Sequence, residues 1–399
     1  MKAIKVLAAS AAALTLISSA NAATFRVYIT GSTAFRGPAQ NSLQALYGAP
    51  LAQSNATLTS ADAALYRKAD YPNPGDTTFV KVSFAGSAAG IQTVAGSIPI
   101  PFYGDNTTGT VPVSTGTPDN HAPDIAFSDT YQGTTPFTDG IYEDLSAQDE
   151  IVGVVTFKFV GSKNFPTNGT ELYNMTPQIA QSLFVLGKVP LSLFTGLAAD
   201  KTRLVFATGR NPDSGTRLTA FAESGVGAGS TVRQWKPTVS AGAVTSQALY
   251  PVEVINGQST NFPGNSGEAS GSVLRNNLTA TIPPSVYNTP AMGGRATTTG
   301  AFYVSYLGTG DAASVAANTT ELKYNGVQFS ETAVQQGQYT FWGYQHVMFR
   351  AAAESTVRIV ATDLKAQILS ATVSPNVKIS DMVVDRAVDG GIITPLFSF

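Results

Sequence analysis

Short apolar runs that end in small hydroxyl residues, each followed by apolar positions at helical spacing, recur along the first half of this chain. Phe25-Arg26-Val27-Tyr28-Ile29 alternates as a strand and runs into Thr30-Gly31-Ser32-Thr33-Ala34-Phe35. Pro38 suits the first turn of a helix, whose face continues through Ser42, Leu43, Leu46 and Tyr47. Val80–Phe84 reads as the next strand, and Ala85–Gln92 opens a short helix with Ser87 at its cap. Asp124–Phe127 is a brief apolar strand ending in Ser128-Asp129, with Asp124 read as a surface turn residue. Leu204–Ala207 reads as a buried strand leading into Arg210-Asn211-Pro212-Asp213-Ser214-Gly215-Thr216. A helix follows, with Leu218, Ala220 and Phe221 on its face and Asp213 or Ser214 as its cap.

Beyond these units the pattern describes a crossing and a return. Ile151–Val160 is a long apolar strand, and Thr176-Pro177 starts a helix with Ile179, Leu183 and Leu186 on one face. Two Gly/Thr/Pro/Ser/Asn-rich stretches, about 100–121 and 226–262, read as insertions, the second irregular or carrying a small hairpin. Tyr339–Arg350 is the expected return strand, and Ser355–Ser370 a helix with Val357, Val360, Leu364 and Ile368 inward. There is no internal repeat.

Met1-Lys2-Ala3-Ile4-Lys5, an apolar run to about Ile17 and Ala20-Asn21-Ala22 form a secretory leader over residues 1–22, cut before Ala23. Its removal takes two lysines and leaves 377 of the 399 residues, moving the formal net charge from −2 to −4. No later stretch is long and apolar enough for a membrane span, so an exported, periplasmic protein is expected. The absence of cysteine rules out disulfides and lipid attachment at an N-terminal cysteine. The slightly acidic balance, without a Lys/Arg run, argues against nucleic acid and anionic membrane as partners.

Four strand ends therefore present Ser, Thr or Asp beside helix-start amides, and one of them adds Arg210. In an open α/β sheet, ligands bind beyond the carboxyl ends of strands, where amides and hydroxyls converge on an anion. No Walker sequence occurs near Arg210. Ser214 lacks the nucleophile-elbow pattern, and His121 and His346 lack metal-ligand spacing, so neither a catalytic residue, a metal nor a cofactor is expected. Both histidines read as structural or surface residues.

These turns resemble the periplasmic phosphate-binding proteins that serve ATP-driven phosphate importers. The residues that carry the resemblance are Gly31–Phe35, Gly86–Gly90, Ala126–Asp129 and Arg210 with Ser214-Gly215-Thr216, in that order. Gly264–Glu268 and Gly300–Val304 add weaker matches. The resemblance implies an α/β, two-lobed periplasmic binding protein fold of type 2, with two mixed sheets flanked by helices and joined by two hinge strands. Lobe one would comprise 23–155 and the return segment 339–399, and lobe two 156–338. It implies phosphate held by Thr33, Ala34, Phe35, Ser87, Asp129, Arg210, Ser214, Gly215 and Thr216, with a carboxylate of Asp129 or Asp213 bracing the Arg210 fork. The family's first-turn threonine falls on Ala34 or Thr33, and Arg36 and Arg217 are additional to the pattern. The implied protein is a monomeric carrier, not an enzyme, that delivers phosphate to ABC transporter membrane subunits. Alternatives are a carrier of another tetrahedral oxyanion, an exported surface protein keeping only the fold, and a phosphatase-like enzyme.

Overall fold

The computed structural model describes residues 22–255, 258–287, 300–370 and 377–396. The expected leader lies outside them apart from Ala22. The chain opens with β1 (Thr24–Gly31), α1 (Arg36–Tyr47), β2 (Ala63–Ala69), β3 (Thr77–Phe84), α2 (Ser87–Ala95) and β4 (Ile125–Ser128). A 13-residue strand, β5 (Asp149–Gly161), then crosses to a second group: α3 (Pro177–Leu186), β6 (Leu204–Ala207), α4 (Gly215–Glu223), α5 (Gly271–Leu278) and β7 (Ala301–Gly308). β8 (Trp342–Phe349) returns, and α6 (Ser355–Ser370) follows it.

Twelve strands form one hydrogen-bonded sheet, eleven of them along a single path. From one edge it runs Lys188–Pro190, β6, β7, β5, β8, β4, β1, β3, β2, Ala52–Gln53 and Gly109–Thr110, with Thr320–Glu321 added to β5. The two expected mixed sheets are thus continuous through β5, which pairs antiparallel with β7 at its far end and with β8 at its near end. β1 lies parallel to both β3 and β4, and Gly31 stands opposite Phe84 on one side and Phe127 on the other. That register delivers three strand ends to the same level.

Both faces of each half are covered, so its central strands are buried on successive residues. In the first half α1 and α6 cover one face, where Val357, Val360, Leu364 and Ile368 join Val27, Ile29 and Leu43. α2 covers the other through Ala88, Ile91 and Val94 against Ala126 and Met348. In the second half Leu183, Phe184 and Phe221 pack on one face, and Leu274 and Leu278 on the other. α3 starts at Thr176, whose hydroxyl accepts from the Ile179 amide at 3.2 Å, but it rests on Ala180, Leu183 and Phe184, leaving Leu186 62% exposed. The rotation places two adjacent residues, Leu183 and Phe184, at the centre of the buried face.

The insertions are ordered. Ile100–Phe102 pairs with Asp119–His121, and Gly109–Thr110 extends the sheet edge. Lys81, buried in β3, ties this unit down between Asp105 at 2.7 Å and Asp119 at 2.6 Å. The His121 ring stacks on Tyr28 at 4.1 Å. His346 is buried in β8, with Nδ1 2.9 Å from Asp149. Asp124 is not a free turn residue: its carboxylate accepts from the Tyr28 amide at 2.9 Å, and burial raises its pKa. In the second insertion Trp235–Ser240 and Ala243–Leu249 form a hairpin.

Residues 377–396 run as a strap across the junction. Arg386 donates to Glu223, at the end of α4, at 2.9 Å and to the Thr340 carbonyl at 2.7 Å, with its guanidinium 4.0 Å from the Trp342 ring centre. Three residues later, Asp389 accepts from Thr130, from the Tyr131 amide at 2.9 Å and from Thr134 at 2.6 Å, all just beyond β4.

Candidate anion site between the lobes

On the first lobe, the level ends of β1, β3 and β4 place Ser32, Ser87 and Asp129 together. The Ser32 hydroxyl donates to the Asp129 carboxylate and accepts from the Ala34 and Phe35 amides, each at 3.1 Å. One hydroxyl thereby uses its single donor and both acceptor positions. The Asp129 amide donates to the Ser87 hydroxyl at 3.1 Å. Ser87 is the first residue of α2 rather than its cap, because Gly86 occupies the cap position. Asp129 is buried, and desolvation pushes its pKa up to about 6 against the opposing pull of the Ser32 hydroxyl and the Arg210 charge. Ser32 was not among the residues expected at the site. Its signal was its place immediately after the strand, two and three residues before amides that a serine hydroxyl can bond.

The second lobe supplies the opposite charge. Ser214 caps α4 by accepting from the Arg217 amide at 3.2 Å, which commits its hydroxyl to the helix's own backbone. Arg210 is buried, with Nε donating to the Glu268 carbonyl at 3.0 Å and Nη2 to the Ala269 carbonyl at 2.8 Å and the Thr33 hydroxyl at 3.2 Å. The expected carboxylate brace is replaced by these carbonyls. Asp129 is turned to Ser32, and no acid pairs with Arg210 among the described residues. Neutral acceptors satisfy the guanidinium without cancelling its charge, and burial lowers its pKa.

Arg217 is also buried, but it works inside the loop. It donates to the Arg210 carbonyl at 3.0 Å and to Asn265 Oδ1 at 2.8 Å, with its guanidinium over Phe221. The Gly264–Glu268 stretch precedes α5 instead of opening it, and its contribution is the two backbone carbonyls, Asn265 and Glu268, that hold these arginines.

The two sets meet at Gly215. A β-carbon there would come within 2.7 Å of Ser87 Cβ and 3.0 Å of Asp129 Cβ, so only glycine lets the start of α4 lie against the first lobe. The Ala88 amide donates to the Asp213 carbonyl at 3.0 Å, and the Thr219 hydroxyl to the Asp129 carbonyl at 3.2 Å. Ser87, Asp129 and Gly215 are in direct apposition, as are Thr33 and Arg210. Ala34 and Phe35 reach the cluster through Ser32. Thr216 is buried in the first turn of α4 and makes no hydrogen bond to the first-lobe turns among the described residues. The Gly215 and Thr216 amides likewise donate to no other described group.

Compared with known proteins, the chain is similar to solved phosphate-binding structures at about one residue in ten. An ABC-type phosphate transport receptor from Vibrio cholerae matches at 11% identity and TM-score 0.42, over 85% of this chain and 93% of that one. PstS from Borrelia burgdorferi matches at 11% identity and TM-score 0.38, over 87% and 93%. A possible phosphate binding protein from Planctomyces limnophilus matches at 10% identity and TM-score 0.40, over 87% and 88%. No family model and no curated protein matches the chain.

Proposed function

We propose that this chain is an exported solute-binding protein that captures inorganic phosphate between its lobes for an ABC importer, and that it is not an enzyme. The observation that carries the reading is the apposition of buried Arg210, without an acidic partner among the described residues, to buried Asp129 across the lobe contact. The unbonded amides at the start of α4 lie beside them. A dehydrated anion can be held by fixed amide and hydroxyl dipoles plus one arginine. The ligand set in this reading is Thr33, Ala34, Phe35, Ser87, Asp129, Arg210, Ser214, Gly215 and Thr216, with Ser32 positioning Asp129 and the Ala34 and Phe35 amides. In this reading the lobes are 23–155 with 339–399, and 156–338, and the leader directs the protein to the periplasm.

Asp129 sets the choice of anion. Near neutral pH phosphate carries at least one proton, whereas sulfate carries none. A buried carboxylate can accept from the former and meets only lone pairs on the latter, a mismatch of about 1–3 kcal/mol or more. Calorimetric titration of unfolded, ligand-stripped and refolded protein with phosphate, sulfate and molybdate tests this. Phosphate should bind at least tenfold more tightly than sulfate, and Asp129→Asn should narrow the gap. Equal binding of the two by the wild type would make this a general oxyanion carrier, and no binding of any would remove the transport reading.

A further inference from the structure

A cleft of about 290 Å³ opens directly beside the anion site, walled by both lobes. Thr33 and Ala34, members of the anion set, form part of its wall, and Arg210 reaches Thr33 from the other side. Arg36, at the start of α1, lines it from the first lobe, and Arg275, on α5, from the second. Asp311 lies between, half-buried, in the electrostatic field of Arg275, Arg210 and Arg36. Gly271 is what admits its carboxylate to the start of α5, since a β-carbon there would come within 3.0 Å of Asp311 Cγ.

This cleft is a built feature. Arg275 donates from Nη1 to Asp311 at 3.1 Å and to Ser314 at 2.9 Å, and its Nε and Nη2 donate to no other described group. Arg36 is braced by Asp62 and by the Thr59 carbonyl at 3.2 Å. Hydroxyls occupy much of the remaining wall, including the Thr156–Thr309 pair at 2.9 Å, and among the described residues no aromatic ring lines it. Such a wall suits neither a nucleobase, which stacks on rings, nor an alkyl chain. Its volume is near the lower end of small-molecule pockets, far more than phosphate alone requires.

We propose that the protein accepts small phosphate monoesters carrying a carboxylate, with the phosphoryl group in the anion site and the carboxylate on Arg275 in this cleft. The inference rests on the phosphate reading above and extends it. The ester oxygen takes the direction past Thr33 and Ala34, and the three remaining oxygens keep the donors of Arg210 and α4. Hydroxyls on the organic part meet the threonines and Asp311. A monoester holds its last proton only to about pH 6, so the proton shared with Asp129 is retained on the acid side of neutral.

The test is titration at pH 6 with three probes: inorganic phosphate, 3-phosphoglycerate and glycerol 3-phosphate, which lacks the carboxylate. The wild type should bind 3-phosphoglycerate at least tenfold more tightly than glycerol 3-phosphate. Arg275→Gln should erase that preference and leave inorganic phosphate unchanged within about twofold, since a charge-assisted contact corresponds to roughly ten- to a hundredfold in affinity. Arg275 is partly exposed, and circular dichroism of the variant checks its fold; the wild-type preference is decisive without it. Binding of phosphate with rejection of both esters, or equal binding of the two esters, overturns this inference alone. Failure of all three probes overturns the phosphate reading as well.

Discussion

The two sides of the candidate anion site are built from opposite materials. The first-lobe turns hold a buried acid whose carboxylate is met by a hydroxyl, and the second-lobe loop holds two buried arginines met mostly by carbonyls. Neither charge pairs with a counter-ion among the described residues; each is met mainly by dipoles of its own lobe, with the Thr33 hydroxyl reaching Arg210 from the other. A direct Arg210–Asp129 ion pair would close the lobes without a ligand and would have to be broken to admit one. With neutral partners, both charges would stay available to a protonated anion, and in the proposed function the difference between the lobes would set the specificity.

Removing the clamp behind this arrangement should have the largest effect. Arg386→Met leaves Glu223 buried without its cation and should cost about 3–5 kcal/mol of stability in denaturant titration. A loss below 1 kcal/mol would mean that the strap is not tied to the second lobe.

The acid side is probed by pH. Asp129 has a folded pKa of about 6, above its unfolded value. It therefore favours the folded state fully below about pH 4, and that contribution is lost as pH rises through about 6. The wild type should gain about 2 kcal/mol more than Asp129→Asn when acidified from pH 7 to 4. Parallel stability curves for the two proteins would place the carboxylate in a solvated setting.

The basic side separates into ligand and scaffold. Arg210→Ala should weaken phosphate binding by roughly ten- to a hundredfold, the loss of charge-assisted hydrogen bonds of about 1.5–3 kcal/mol. Arg217→Ala should lose less affinity but lower the melting temperature, because the Asn265 side-chain oxygen loses its closest donor. Equal affinity losses at unchanged stability would locate the anion elsewhere. The smallest effect belongs to a cap remote from both sides. Thr176→Ala should cost about 1 kcal/mol in stability and leave the phosphate titration unchanged.

The elements that were legible in the sequence are those with strong period and plain ends. The inward face of α6 is Val357, Val360, Leu364 and Ile368 as expected, and β5 and β8 occupy the two apolar crossings. The strand-to-helix turns were legible because glycine, hydroxyls and a following helical face coincide there. What escaped was whatever depends on distant segments. Whether Arg210 is braced by Asp129 or by the carbonyls of Glu268 and Ala269 is decided by a loop some sixty residues away, which leaves no mark in the local pattern. Ser32 is a milder case, lying inside a recognised turn whose hydroxyl roles only the register with β4 distinguishes. The strap has almost no periodicity to read, since its anchors are single residues, Arg386 and Asp389.

Those anchors have a mechanical consequence. Arg386 grips the end of α4, and Asp389 grips the turn beyond β4. The three Cα-to-Cα steps between them span at most about 11 Å. While both grips hold, those two points stay within a short tether of each other, and the lobes can part only by rotating about it. Arg36 and Arg275, which line the cleft from opposite lobes, share no hydrogen bond among the described residues, so that rim would be the first to part in such a rotation. The same short segment that fastens the halves together would then be the pivot of any opening.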